Sequence, residues 1–355
     1  MIKRILAFGG MRIGISLMMC SAAQTALAQQ RTGNAAPQPR TGTAAPQART
    51  GTKPWTAPKT PWGEPDLRGV WPLTHLISTP FQRPERFGDR RVLSEDEYAA
   101  ALKSAETRNT RFESGAIPQA DSGGASQLTS LMSDPPNGRF PALTPKGKEL
   151  YDKMRGSYKP GQTVFDTPED FDTWDRCITR GMPVSMLTRN YNVGIQVMQS
   201  PGYVVILLEM AHEARIIPTD GRPVIDKSIK QYLGESRGRW EGNTLVVETT
   251  NFNGKPAMTN AGVPGSPPLT PASENMRITE RFTRTANDTV EYKVTVTDPE
   301  ILSTGSWSAE FPWKLDNEYE IYEYACHEGN TAIRNYIETS RFERANKTAA
   351  PATRK

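Results

Sequence analysis

The chain has 355 residues, 36% of them hydrophobic, and a formal charge of +4. That length allows one large domain or two small ones. Lys3, Arg4 and Arg12 lead an apolar stretch with no acid among them, so a chain without that leader is close to neutral, at +1; this argues against the basic face that a nucleic-acid partner requires.

The leader reads as a secretory signal. Lys3, Arg4 and Arg12 form its positive end, Ile13 to Ala23 its apolar part, and Ala26-Leu27-Ala28 its cleavage site. Residues 1–28 are therefore expected to be removed, with Gln29 first in the mature chain, in a periplasmic or secreted location. The apolar run is too short and too interrupted to span a hydrocarbon layer of ~30 Å. A lipidated alternative at Cys20 is disfavoured by the bulky Met19 before it. No later stretch suggests a transmembrane segment in the mature chain.

Residues 29–57 form a linker. Arg31-Thr32-Gly33-Asn34-Ala35-Ala36-Pro37-Gln38-Pro39 recurs as Arg40-Thr41-Gly42-Thr43-Ala44-Ala45-Pro46-Gln47-Ala48. Such a Pro/Gly/Ala/Thr repeat has nothing with which to build a core, so disorder is expected.

Residues 58–190 read as a helical and extended wrapping segment. Thr60 to Trp71 is rich in turns and is flanked by Trp62 and Trp71. Ser94 and Glu97 make a capping box, which predicts a helix from Glu95 to about Arg111. Gly115 to Phe140 reads as a loop that ends in the Asp134-Pro135-Pro136-Asn137-Gly138-Arg139 turn. Thr144-Pro145 opens a helix to about Arg155. Thr167-Pro168 opens another, expected to end near Cys177.

Residues 191–345 change to strand patterns. Gly194–Gln199 and Tyr203–Arg215 flank Ser200-Pro201-Gly202, and Glu213 to Pro218 either continues the second strand or forms its own. Arg239-Trp240 and Thr244–Thr250 flank Glu241-Gly242-Asn243; Met276–Thr285 and Thr289–Thr297 flank Ala286-Asn287-Asp288. Ser306–Leu315 and Glu318–Cys326 complete the set, and Ile333 to Phe342 forms a closing helix. The fold class is mainly β. An antiparallel meander is expected to form a lipocalin-like barrel or curved sheet under an N-terminal helical layer, with 58–345 as one unit. The alternative is a two-sheet sandwich.

Five stretches together resemble a family of uncharacterised, secreted bacterial proteins. They are Thr60 to Trp71, Asp134 to Arg139, Arg176-Cys177-Ile178-Thr179-Arg180-Gly181, Gly238 to Val247, and Tyr322-Glu323-Tyr324-Ala325-Cys326-His327-Glu328-Gly329-Asn330. The resemblance covers roughly Thr60 to Arg341 and implies no particular activity.

The chemistry-bearing residues cluster at two places. His212 and Glu213 lie near the end of one predicted strand, and His327 and Glu328 near the end of another. An imidazole beside a carboxylate suits acid–base work near neutral pH, so these four are the catalytic candidates. Arg215, by bidentate hydrogen bonding to an anionic group, and Tyr324 are the substrate-binding candidates. Cys177 and Cys326 are the two cysteines left after the signal and are expected to pair in an oxidising compartment. Strand alternation would send Cys326 and His327 to opposite faces, which puts His327 in the barrel interior. His212-Glu213-Ala214-Arg215-Ile216 lacks the second histidine of a metal-binding helix, and no phosphate-loop pattern occurs, so neither metal nor nucleotide cofactor is expected. These features point to a small-molecule-binding β-barrel protein, either a hydrolase, lyase or isomerase, or a non-catalytic carrier.

Overall fold

The computed structural model describes residues 55–116 and 123–349. The expected signal, residues 29–54 of the expected linker and a short part of the 115–140 loop lie outside the described residues. Order begins before Thr60: Ala57 is buried, and Trp55 Nε1 donates to Asn287 Oδ1 at 3.0 Å.

Among the described residues, twelve strands form three antiparallel sheets. The first sheet has β1 (Gly69–Val70), β3 (Ile195–Ser200), β4 (Tyr203–Leu208) and β5 (Ala214–Pro218), in that order. The second runs β2 (Met132–Asp134), β12 (Ser306–Lys314), β11 (Thr289–Thr297), β10 (Arg277–Ala286), β7 (Thr244–Thr250), β6 (Glu235–Glu241). The small third pairs β8 (Thr259–Asn260) with β9 (Leu269–Thr270).

Period-two patterning explains the core. In β10, Ile278, Glu280 and Phe282 are buried; in β11, Val290, Tyr292, Val294 and Val296; in β12, Trp307, Ala309, Phe311 and Trp313. Val204, Ile206 and Leu208 of β4 join the same cluster from the other sheet. The expected closed barrel does not form. β5 and β6 follow one another in the chain but share no ladder, so the sheets stay separate and their inward faces meet in one core.

The helices do not build the expected layer. α1 (Glu95–Glu113) has the predicted Ser94–Glu97 capping box but buries only Ala105, and α2 (Pro145–Lys153) buries only Gly147. Extended segments cover the sheets instead, through Trp71, Leu73, Leu76, Phe81 and Leu131. The Thr60–Trp71 strap is held by Arg284, which donates to Asp66 O at 2.6 Å and stacks on Trp71. Gly69 has φ +144, and a Cβ there would collide with Leu315, so only glycine fits. The Asp134–Arg139 turn wraps buried Arg83, which donates to Pro136 O at 2.6 Å. His75 Nε2 meets Pro312 O at 2.9 Å beyond the short edge strand β2. α3 (Ala332–Ala349) is the last element among the described residues. No helix among the described residues is long and apolar enough to cross a membrane.

One ion pair ties the two large sheets together inside the core. Arg215 of β5 donates to both oxygens of Glu280 of β10, at 2.9 and 2.5 Å, and the Tyr292 hydroxyl donates to the same carboxylate at 2.9 Å. Removing one partner leaves the other charge buried, so Arg215→Met is expected to cost about 3–5 kcal/mol in urea unfolding. Replacing both, as Arg215→Met with Glu280→Gln, should cost less. Equal losses in the single and double variants would contradict this pairing.

Candidate functional site

Two stretches that sequence reading took as regular structure are irregular, and they build the site. The segment after Thr167 is not a helix to Cys177; only Pro168–Asp170 makes a turn of 3-10 helix. Its aspartates compete for the backbone. Asp172 Oδ1 accepts from the N–H groups of Trp174 and Asp175, both at 2.8 Å, and Asp170 Oδ2 accepts from those of Asp166 and Thr167. The expected last strand, Glu318–Cys326, is also absent. β12 already lies between β11 and β2, so the chain leaves the sheet after Lys314. The alternation that was to send His327 inward therefore does not operate.

Two ties hold these segments together. The first is the expected disulfide: Cys177 and Cys326 are bonded, with Cα atoms 5.7 Å apart and a sequence separation of 149. The second is buried Glu209, at the end of β4. It accepts from the Tyr319 hydroxyl at 2.7 Å, Asn192 Nδ2 at 2.9 Å and Gly194 N at 2.9 Å. A Cβ on Gly194 would stand 2.7 Å from the Tyr319 ring and 2.8 Å from the Glu209 carboxylate, so glycine is what lets these chains approach.

Strain gathers in the same place. Cys177, Asn192, Ala211 and His212 have φ of 55, 47, 59 and 42, four of the five positive-φ residues other than glycine among the described residues. Each such residue costs on the order of 1–3 kcal/mol, asparagine least, and persists only where the surroundings enforce it.

Between the tied segments lies an open cavity of about 460 Å³. Six rings line it: Tyr158, Phe171, Trp174, Tyr191, Tyr324 and Tyr336, with Asp175, Cys326, Glu328 and Asn330 among the other lining groups. Trp174 and Tyr324 have ring centroids 5.8 Å apart, and Tyr191 stacks on Tyr324 at 6.2 Å. Arg180 packs behind Trp174, its guanidinium carbon 3.8 Å from the ring centroid, and donates to Asn260 Oδ1 at 2.7 Å. Arg189 is fully enclosed, and its fork donates to the carbonyls of Val184, Ser185 and Leu187. Burial, with Arg180 nearby, pulls its pKa down to about 9.

The candidates from sequence fall in different environments. Tyr324 and Glu328 line the cavity. Glu213 faces inward behind it, accepting from Thr179 and, at 2.7 Å, from Ser185. His212 sits in the Met210–His212 turn and His327 exposed in the turn after Cys326; neither lines the cavity. Arg215 has its fork taken by Glu280 in the core. Trp174, Tyr191, Arg180 and Glu209 were not singled out from sequence as site residues. For Trp174 the signal was the aromatic density upstream of each cysteine: Phe171 and Trp174 before Cys177, Tyr322 and Tyr324 before Cys326. Among the described residues no group of three or more His, Cys, Asp or Glu side chains is placed to hold a metal ion.

No family model, curated protein or solved structure matches the chain.

Two outcomes test this geometry. Closing so long a loop constrains the unfolded chain, so replacing Cys177 and Cys326 together by serine is expected to lower unfolding free energy by about 2–5 kcal/mol. An unchanged denaturant midpoint would contradict it. Asp172 gives a pH signature. Burial, then the neighbouring Asp175, pushes its carboxyl from 3.8 up to about 6. The folded chain thus holds this proton more tightly than the unfolded chain. The resulting stability is full below pH 3.8 and is lost as pH rises through about 6. Relative to Asp172→Asn, the wild type should lose on the order of 1–3 kcal/mol across that window; parallel stability–pH curves would refute the assignment.

Proposed function

We propose that this is an exported small-molecule-binding protein, of the secreted bacterial family whose motifs it resembles, and that its ligand occupies the aromatic cleft beside the Cys177–Cys326 bond. The observation that carries this reading is the cleft itself: six rings around about 460 Å³, open to solvent, on segments held in strained conformations. Aromatic faces in a concave site supply apolar contact and stacking to a ring-shaped ligand. Export is supported by the positive, apolar and small-residue order of residues 1–28, and by a disulfide that suits an oxidising compartment.

Between the two functional readings, the non-catalytic binding protein or carrier is favoured over the His/Glu acid–base enzyme. The imidazoles of His212 and His327 do not line the cleft. A general base must reach the proton it takes. The wall's rings and hydroxyls supply stacking and hydrogen bonds, and its carboxylates, Asp175 and Glu328, have no imidazole lining the cleft beside them.

Naphthol is a suitable neutral ring probe. It is expected to quench tryptophan fluorescence saturably, with Trp174→Ala weakening binding roughly tenfold, the scale of a lost aromatic stacking contact. His327→Ala should leave the affinity unchanged. The bound probe should be recovered intact after long incubation. Binding that survives Trp174→Ala, or is lost in His327→Ala, would overturn the assignment of the cleft.

A further inference from the structure

Tyr336 of the cleft wall also lines a second open cavity, of about 400 Å³. Its bearing on the ligand rests on the cleft being the ligand site. Three packed rings divide the two spaces. Phe171 lines the cleft, Phe165 lines the second cavity, and Tyr336 lines both. Phe165 and Phe171 have centroids 5.0 Å apart, and Tyr336 stands edge-on to them at 5.2 and 5.9 Å. Both phenylalanines are buried, whereas Tyr336 is 44% exposed. The divider is therefore low on its Tyr336 side, and a ligand can cross that edge without displacing a buried ring.

The helix α3 aligns the two spaces. Ala332, Ile333 and Tyr336 face the cleft, and Asn335, Tyr336, Thr339, Ser340 and Glu343 face the second cavity. Spacings of three and four residues put these positions on one side of the helix. From Ala332 to Glu343 the helix rises about 16 Å, which sets the length of a ligand that spans both.

The second cavity is less polar than its residue types suggest. Ser340 Oγ accepts from Phe165 N at 3.0 Å and donates to Thr163 O at 3.3 Å. Asn335 Nδ2 donates to Thr331 Oγ1 at 3.3 Å. Among the described residues Glu343 is the one charged side chain lining the cavity, and it is exposed. The Phe165 and Tyr336 rings supply the apolar face. Apolar ligand surface gains by leaving water here, whereas a polar group would lose its hydration for few partners.

We propose that the ligand is an aromatic ring carrying an apolar chain. The ring lies in the cleft against Trp174 and Tyr324, and the chain crosses the Tyr336 edge into the second cavity along α3. That cavity is a specificity subsite that selects for the chain, and Tyr336 contacts both parts of the ligand.

Calorimetric titration of the purified protein with naphthol, and with naphthol bearing a hexyl chain on its far ring, reads this directly. Burying only two methylenes is worth on the order of tenfold in affinity, so hexylnaphthol is expected to bind at least about tenfold more tightly. Thr339→Trp fills the second cavity from an exposed position that does not line the cleft. It should cut the gain to below about threefold, less than the worth of one buried methylene, and leave naphthol affinity unchanged. A thermal midpoint close to wild type confirms that the variant is folded. A readout without any variant comes from NMR: the backbone amide signals of Thr163 and Thr339 should move with hexylnaphthol and hold still with naphthol. Absence of a gain, a gain that survives Thr339→Trp, or unmoved Thr163 and Thr339 signals would overturn the subsite and leave the cleft in place as a site for rings. Failure of naphthol itself to bind would instead overturn the cleft reading, and the subsite with it.

Discussion

The Cys177–Cys326 bond is the constraint on which the site depends. Neither cysteine sits on a helix or strand. The segments they join supply most of the cleft wall, with Trp174 and Asp175 on one side and Tyr324, Glu328 and Asn330 on the other. Without a covalent tie, an irregular segment of this kind has only exposed turns and scattered hydrogen bonds to hold it. Asn330 reinforces the bond by donating to Asp175 O and Cys177 Sγ, both at 3.3 Å. Glu209 adds a second anchor through Tyr319 and Gly194, so the segment after β12 is fixed near both of its ends.

Behind this staple the sheets act as a rigid base. The Arg215–Glu280 pair and Tyr292 fix one sheet against the other, while the large aromatics Trp307, Phe311 and Trp313 fill the interior. The core leaves little room for a ligand: the gap between the sheets, lined by Leu67, Trp71, Phe282 and Trp313 among others, amounts to about 10 Å³. Ligand-sized space therefore lies on the periphery, where the wrapping segments meet. Rings already packed on one another, with Arg180 filling the space behind Trp174, require little reordering on binding. Such preorganisation lowers the entropic cost of association.

The legible parts of this fold are local ones. Hairpins at Ser200-Pro201-Gly202, Glu241-Gly242-Asn243 and Ala286-Asn287-Asp288 could be read because turn chemistry and period-two patterning act within a few residues. The Ser94 cap and the cysteine pairing were legible for similar reasons of type and position. Sheet separation was not, because whether β5 joins β6 depends on packing between strands distant in sequence. Glu318 to Cys326 carries a strand-like pattern, yet the side of β12 where it would pair is taken by β2. The Thr167 helix fails because Asp170 and Asp172 bond the backbone themselves. Those two departures moved the site: once the terminal strand is gone, His327 stands in solvent while Tyr324 remains in the wall. The arginine behind Trp174 was invisible in sequence because its neighbours come from segments far away, including Asn260.

Binding of a ring-shaped ligand in the aromatic cleft is tested most directly by following the tryptophan indole N–H signals by NMR during titration with naphthol. Trp174 should shift progressively and saturably, while Trp71, Trp307 and Trp313, all buried in the core, should hold their positions. Saturable binding that moves the core indoles, or other indoles with Trp174 unmoved, would place the ligand elsewhere and contradict the cleft as its site.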